Sequence, residues 1–319
     1  MGIMTMQSNR RLFLKRSAKL AAGLTIGAGA PRWVWADPLG LPIGIQLYTI
    51  GGDIRKDAPG ALRQIAAIGY KEVETAGFGS LNTASEFRKA LDDNGLSCPS
   101  AHLQFDMQNL QKTFDDANVL GCRYATASVA ERMIEPQPPA PTPGVRRPQG
   151  RGAGMKPLLG DELKRLADAM NTVGAAAKKS GLLFASHNHT EQFAIINGET
   201  GFDFLMQNTD PETVKFEIDC GWMTVAGYKP GYFVKKYPGR VKMLHIKDFL
   251  AFKKGAAAGG PESPKGSEIG RGVINYKEIF ADVRGRGIEH IFVEQEGPYS
   301  RMSAMEAAKV DYDYLHSIR

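Results

Sequence analysis

From residue 43 to residue 318, short apolar runs alternate with longer stretches whose apolar residues recur every three or four positions. The short runs cover 43–49, 71–75, 96–103, 123–129, 182–189, 213–219, 241–248 and 290–294. They are brief and bounded by turn residues, which predicts buried strands. The longer stretches cover 58–68, 83–94, 110–120, 161–179, 200–208, 231–237, 276–286 and 302–318. Their spacing predicts helices, and local signals agree. Thr83 is followed by Glu86 as an N-terminal cap, and Gly69, Gly95, Gly121 and Gly181 stand where helices stop. Eight strands alternating with helices predict parallel pairing through helical crossovers. The count of eight selects an α/β fold closed into a single (β/α)8 TIM barrel. Two stretches break the alternation. Residues 135–157 are rich in Pro, Gly and Arg and residues 251–267 in Gly, Ala, Pro and Lys, so both read as loop insertions.

The first 36 residues follow a different pattern. Arg10-Arg11 precedes an apolar, Gly- and Ala-rich run from 20 to 30, and Val34-Trp35-Ala36 offers small residues before a cleavage point. That layout predicts a removable twin-arginine export signal at 1–36 and a periplasmic protein. The run is shorter than the roughly 20 residues of a membrane span. The signal also changes the meaning of the charge. The chain carries +6, and Arg10, Arg11, Lys15, Arg16, Lys19 and Arg32 supply six positive charges with no acid among them. The chain from residue 37 on is formally neutral, which argues against nucleic acid as a partner. Removal of the signal would leave no permanent membrane span. Three cysteines, Cys98, Cys122 and Cys220, match no zinc or redox spacing and read as small buried residues.

Candidate chemistry gathers at the C-terminal ends of the strands, which converge on one face of a closed barrel. The organising stretch is Val241 to Asp248, where Val241, Met243, His245 and Lys247 share a face. Other ends carry Glu74, His102, His187 and His189, Asp219, and Glu294. Four of the six histidines lie at such ends, leaving His290 and His316 elsewhere. Imidazoles and carboxylates without a thiolate suit one divalent ion, Mn, Co, Mg, Zn or Fe. Asp219, His245 and Glu294 are the strongest ligand candidates. Asp248 alternates off that face and reads as a cap or an orienting group.

At these residues the chain resembles the xylose isomerase-like barrels, in particular the sugar phosphate isomerase/epimerase group related to endonuclease IV-type enzymes. The matching pieces are His187-Asn188-His189, Asp219-Cys220-Gly221-Trp222 with Ala226-Gly227, His245-Ile246-Lys247-Asp248, Gly270-Arg271-Gly272 through Tyr276, and Val293-Glu294-Gln295-Glu296. The resemblance implies one divalent metal held by His187, Asp219, His245 and Glu294. His187 stands where the sugar epimerases carry a glutamate, which departs from their pair of metal-bound glutamates. Glu294, His187, Lys247 and Glu74 are therefore the candidate catalytic groups. His102, His189, Trp222 and Arg271 are candidates for binding substrate.

An ion on the carbonyl of a keto sugar acidifies the neighbouring C–H, and a nearby carboxylate or imidazole takes the proton. The leading expectation is a metal-dependent sugar isomerase or epimerase acting on a small carbohydrate, with a dehydratase or lyase of keto sugars or glycosides as the alternative. A non-catalytic sugar-binding barrel is the reading from another class, with Tyr48, Phe193 and Trp222 as stacking faces. An endonuclease IV-like activity is disfavoured by the neutral charge and by Trp222 in place of a ligand histidine. Homo-oligomer formation is left open by the sequence.

Overall fold

The computed structural model describes residues 38–318, apart from 128, 135–157, 159, 296, 298, 300 and 301. The stretch 1–36 that the sequence reads as an export signal, the insertion at 135–157 and Glu296 lie outside the described residues. Eight strands close into a barrel: β1 (Ile43–Gln46), β2 (Glu72–Thr75), β3 (Ser97–Leu103), β4 (Tyr124–Ala127), β5 (Leu183–His187), β6 (Val214–Asp219), β7 (Val241–Ile246) and β8 (His290–Val293). Every neighbouring pair is parallel, and β1 closes the ring against β8 with Ile43 opposite Ile291. The principal helices after each strand are α1 (Ala58–Ile68), α2 (Ala84–Asp92), α3 (Leu110–Leu120), α4 (Asp161–Lys179), α5 (Gly201–Asn208), α6 (Pro230–Lys236), α7 (Tyr276–Val283) and α8 (Ala304–Ser317). This is the (β/α)8 barrel predicted from the alternation.

Local chemistry explains the boundaries. Thr83 Oγ1 accepts the Glu86 N–H at the start of α2, and Ser303 and Glu306 form a reciprocal capping box at α8. Gly121 ends α3 in the left-handed region, at φ 78°. Three segments differ from expectation. The first strand stops at Gln46 because its side chain accepts the Tyr48 N–H and turns the chain, and a short helix at Gly51–Lys56 follows. The fifth strand stops at His187 rather than 189. The sixth runs straight into a helix at Cys220–Ala226, because Asp219 caps it by accepting the Trp222 N–H at 2.7 Å. The 251–267 insertion is tied down at one end by a two-residue antiparallel ladder between Asp248–Phe249 and Gly266–Ser267.

The main apolar core lies between strands and helices, with Leu62, Phe87, Phe114, Leu166 and Phe202 all buried. Burying each such side chain contributes roughly 1.5–3 kcal/mol. Inside the barrel, the apolar layer is thin: Tyr124, Ala185, Met243 and Phe292. Gly44 makes room for it, because a Cβ there would stand 2.6 Å from the Phe292 ring. Above that layer the barrel interior turns polar, and there the candidate residues meet.

Candidate active site

Alternation along the strands lifts side chains in steps of two. On β6, Glu217 lies below Asp219, and on β7, Met243, His245 and then Lys247 rise in order. Two sets of four buried residues result, and they share His245. The lower set is Glu74, His102, Glu217 and His245. The upper set is His187, Asp219, His245 and Glu294.

The two sets have different spacings. In the lower one, His245 Nε2 lies 2.7 Å from Glu74 Oε2 and 3.2 Å from Glu217 Oε2. His102 Nε2 lies 2.9 Å from each of the same two oxygens. These are hydrogen-bond separations. Glu74 also accepts from Gln46 Nε2 at 3.0 Å and from Ser100 Oγ, so both its oxygens are occupied. Burial pushes the Glu74 carboxyl up, but His102 and His245 outweigh that and hold it well below the usual carboxylate range. For His102, burial opposes the charged ring, yet Glu74 and Glu217 raise its pKa to about 9.

In the upper set, His187 Nε2 stands 3.6 Å from Asp219 Oδ2 and 3.8 Å from Glu294 Oε2. Both are too long for a direct hydrogen bond. They lie a few tenths of an ångström beyond the roughly 3–3.5 Å that separates neighbouring ligands about 2.1 Å from one metal, so a small inward shift would let the atoms flank a common ion. His245 Nδ1 closes the set at 2.9 Å from Glu294 Oε2. His187 Nε2 and Asp219 Oδ2 are buried with no hydrogen-bond partner among the described residues. Such groups normally find a partner, and an ion is the one this donor set would take. His187, Asp219, His245 and Glu294 are the four residues that would hold it.

Lys247 sits at the same level. Its Nζ lies 3.2 Å from Glu294 Oε2, 3.6 Å from Asp219 Oδ2 and 5.3 Å from the centre of the Trp222 ring. Burial would raise Glu294, but Lys247 and His245 hold it well below the usual range, so it is an ionised carboxylate. The backbone around Lys247 is clamped. Its N–H donates to Tyr276 Oη at 2.6 Å, and its carbonyl accepts from the same hydroxyl. Asp248 anchors the following loop by accepting the N–H groups of Gly270, Gly272 and Ile274. The Gly270-to-Tyr276 stretch thus holds the end of β7 in place.

The other candidates fall as follows. The His189 ring packs 4.9 Å from His187 and 6.2 Å from Trp222, and burial with the neighbouring His187 and Lys247 keeps its pKa well below that of a free histidine. Trp222 is buried with its Nε1–H unpartnered among the described residues. Phe193 packs against Phe202, Tyr228 and Phe233, so it is core and offers no stacking face, while Tyr48 is half-exposed. Arg271 is not brought to the cluster. It is exposed and faces Glu268 at 3.8 Å, because the hydrogen bonds to Asp248 turn its loop outward. Cys98 and Cys122 are free thiols with their sulfurs 3.9 Å apart, and Cys220 is also free and buried. Glu217 was not anticipated. The signal for it was its place two residues before Asp219, on the same inward face between Phe216 and Ile218.

The comparisons with known proteins agree with this architecture. Residues 62–318 match the family described as "Xylose isomerase-like TIM barrel", and the chain belongs to that family. Among curated relatives, inosose dehydratase 2 of Bacillus cereus is 31% identical over 132 residues, 38% of this chain. The match spans 42% of that relative, less than half its length. Among solved structures, a sugar phosphate isomerase/epimerase from Parabacteroides distasonis superposes with a TM-score of 0.66 at 24% identity, covering 86% of this chain and 94% of that one. A xylose isomerase-like barrel protein from Mycobacterium smegmatis in complex with magnesium superposes with a TM-score of 0.55 at 18% identity, over 86% and 95% of the two chains. At these identities the structural matches show the shared fold.

Proposed function

We propose that this protein is a divalent-metal-dependent lyase of keto sugars or related cyclic polyol ketones, removing water or another β-substituent after taking a proton next to a carbonyl. The observation that carries this is the placement of one ionised carboxylate, Glu294, with the Lys247 ammonium 3.2 Å away. Epimerisation needs two groups on opposite sides of one carbon, and the epimerases' second metal-bound glutamate is His187 here. Elimination needs one base and one acid, which can share a face. The name of the curated relatives, inosose dehydratase, supports the same outcome.

When bound, the ion would polarise the substrate carbonyl and acidify the adjacent C–H. The protein's own groups do the rest. Glu294 takes the proton from the carbon beside the carbonyl. The Lys247 ammonium gives a proton to the departing hydroxyl, which leaves as water. Transfer of the proton from Glu294 to Lys247 restores both groups. Trp222 and His189 stand beside these groups, the Trp222 ring 5.3 Å from Lys247 Nζ and the His189 ring 4.9 Å from that of His187. The export signal read at 1–36 supports free substrates over phosphorylated ones, and a periplasmic site of action is part of the proposal.

The test is to incubate the purified protein with Mn²⁺ or Co²⁺ and keto sugars, 3-keto glycosides or inososes in heavy water. The expected result is an unsaturated ketone with release of water or the β-substituent. Solvent deuterium in recovered substrate with no elimination product would establish the isomerase or epimerase reading instead. Sugar binding with neither outcome would make the barrel a binding module.

A further inference from the structure

Resting on the metal reading above, we infer that Glu217, together with Glu74, is a positioning residue that fixes how His245 meets the ion: the two carboxylates hold the Nε2–H and leave Nδ1 as the ligating atom. The geometry is a near-square of four atoms. His245 Nε2 is 2.7 Å from Glu74 Oε2 and 3.2 Å from Glu217 Oε2. His102 Nε2 is 2.9 Å from both. Two ring N–H groups therefore serve two carboxylate oxygens. A metal at this position would need a lone pair from all four atoms. The short separations are those of N–H···O hydrogen bonds and assign the ring protons to those lines instead.

The opposite edge of the His245 ring faces the upper set, where Nδ1 makes a single 2.9 Å contact with the proposed ligand Glu294 Oε2. An ion would replace that contact, while Nε2 keeps its two carboxylates. Each edge of one imidazole thus has its own role. A carboxylate bonded behind a ligating histidine sets its tautomer, fixes its ring plane and makes it a better donor. The ring plane is set from the side as well, because His102 stacks on His245 with centroids 5.2 Å apart and planes 23° apart. Glu217 is fully buried; its Oε2 faces the two imidazole nitrogens, and its Oε1 has no hydrogen-bond partner among the described residues. A buried carboxylate is costly to keep unless its partners use it.

Cobalt titration of the full chain and of Glu217→Gln tests this, with absorption of the bound Co²⁺ and chelator competition as readouts. The wild-type protein is expected to bind one ion. The variant, which keeps shape but loses charge, is expected to bind it about 10–100-fold more weakly, with shifted absorption bands. Unchanged affinity and an unchanged spectrum would overturn the positioning role. So would two ions in the wild-type protein with one lost in the variant, since the lower set would then be a metal site. Absence of Co²⁺ binding by the wild-type protein would instead sink the underlying metal reading. A second measurement needs no variant: in the Zn²⁺-loaded protein with ¹⁵N-labelled histidine, His245 is expected to carry its proton on Nε2. A proton on Nδ1 would overturn the inference.

Discussion

Glu217 and Asp219 stand two residues apart on one face of β6, and both are fully buried. Their surroundings differ. Glu217 Oε2 is matched by two imidazole nitrogens at 2.9 and 3.2 Å. Asp219 spends Oδ1 on the Trp222 N–H, while its Oδ2 faces His187 and Lys247 at 3.6 Å with no hydrogen bond made. About 7 Å of strand separates a polar layer that is closed from one that is open. In the lower layer both Glu74 oxygens are occupied and the two Nε2 atoms face carboxylates, which leaves His102 Nδ1 and Glu217 Oε1 as its buried atoms without a partner among the described residues. The upper layer ties Glu294 to His245 and Lys247 but leaves His187 and Asp219 Oδ2 unspent, as a site for an external ligand does. The difference teaches that depth in the barrel, more than residue type, separates support from chemistry.

The largest expected effect comes from breaking the open layer. Asp219→Ala removes a proposed ligand and is expected to abolish both metal retention and turnover, a loss beyond the 10–100-fold assigned to Glu217. Elemental analysis after dialysis checks it, and a variant that keeps its metal would remove Asp219 from the ligand set. Without metal the variant is expected to lose about 0.5–2 kcal/mol, the cost of the cap that Oδ1 gives the Trp222 N–H, and nothing from Oδ2, which is unpartnered among the described residues.

Lys247→Met asks whether the ammonium is chemistry or support. As the proton donor, its loss is expected to lower kcat about 10²–10⁴-fold with metal content unchanged. Steady-state kinetics beside elemental analysis separates the roles. A variant with wild-type kcat would leave elimination without its acid.

Breaking the closed layer has the opposite signature. Glu74→Ala strips His102, His245, Gln46 and Ser100 of a shared acceptor. Removing one partner of a buried charged network costs on the order of 3–5 kcal/mol. The metal-free variant is therefore expected to unfold at markedly lower urea concentration. An unchanged midpoint would mean that the lower layer is no better satisfied than the upper one.

Most of the architecture could be read before folding, because each strand's apolar run and each helix's spacing reports a local environment. The glycine stops and the Thr83 cap are chemistry between near neighbours. The upper set was also legible: His187, Asp219, His245 and Glu294 sit at strand ends, and closure makes ends converge. What could not be read was depth. Glu74 was placed among catalytic candidates because it ends β2, yet the barrel puts it under His245 with every oxygen occupied. Glu217 went unnoticed because a charge in mid-strand usually faces solvent, and only the closed barrel turns that face inward. Arg271 was drawn in by its motif, but the motif's work is done by backbone N–H groups binding Asp248, for which the Arg side chain is not needed.

A third carboxylate sharpens the comparison with the smallest effect. Glu191 is buried beside the site, with the charge of another acid, Glu131, acting on it and His189 Nδ1 3.8 Å from its Oε1, and neither of its oxygens has a hydrogen bond among the described residues. Burial and the charge of Glu131 raise its pKa to about 8, whereas the cations around Glu74 and Glu294 drive theirs down. A carboxyl with a raised folded-state pKa binds its proton more tightly folded than unfolded. Its contribution is fully present below the unfolded value of about 4.3 and is lost as pH rises through about 8. Unfolding free energy measured with chelator present is therefore expected to fall between pH 5 and 8, by at most about 1.4 kcal/mol per pH unit from this group. Glu191→Gln removes the ionisation and should flatten that slope, so the variant gains on wild type as the solution becomes more alkaline. Urea titrations across the window decide it: parallel curves for the two proteins would mean that Glu191 shares its charge with a cation after all, and belongs with the satisfied carboxylates of the lower layer.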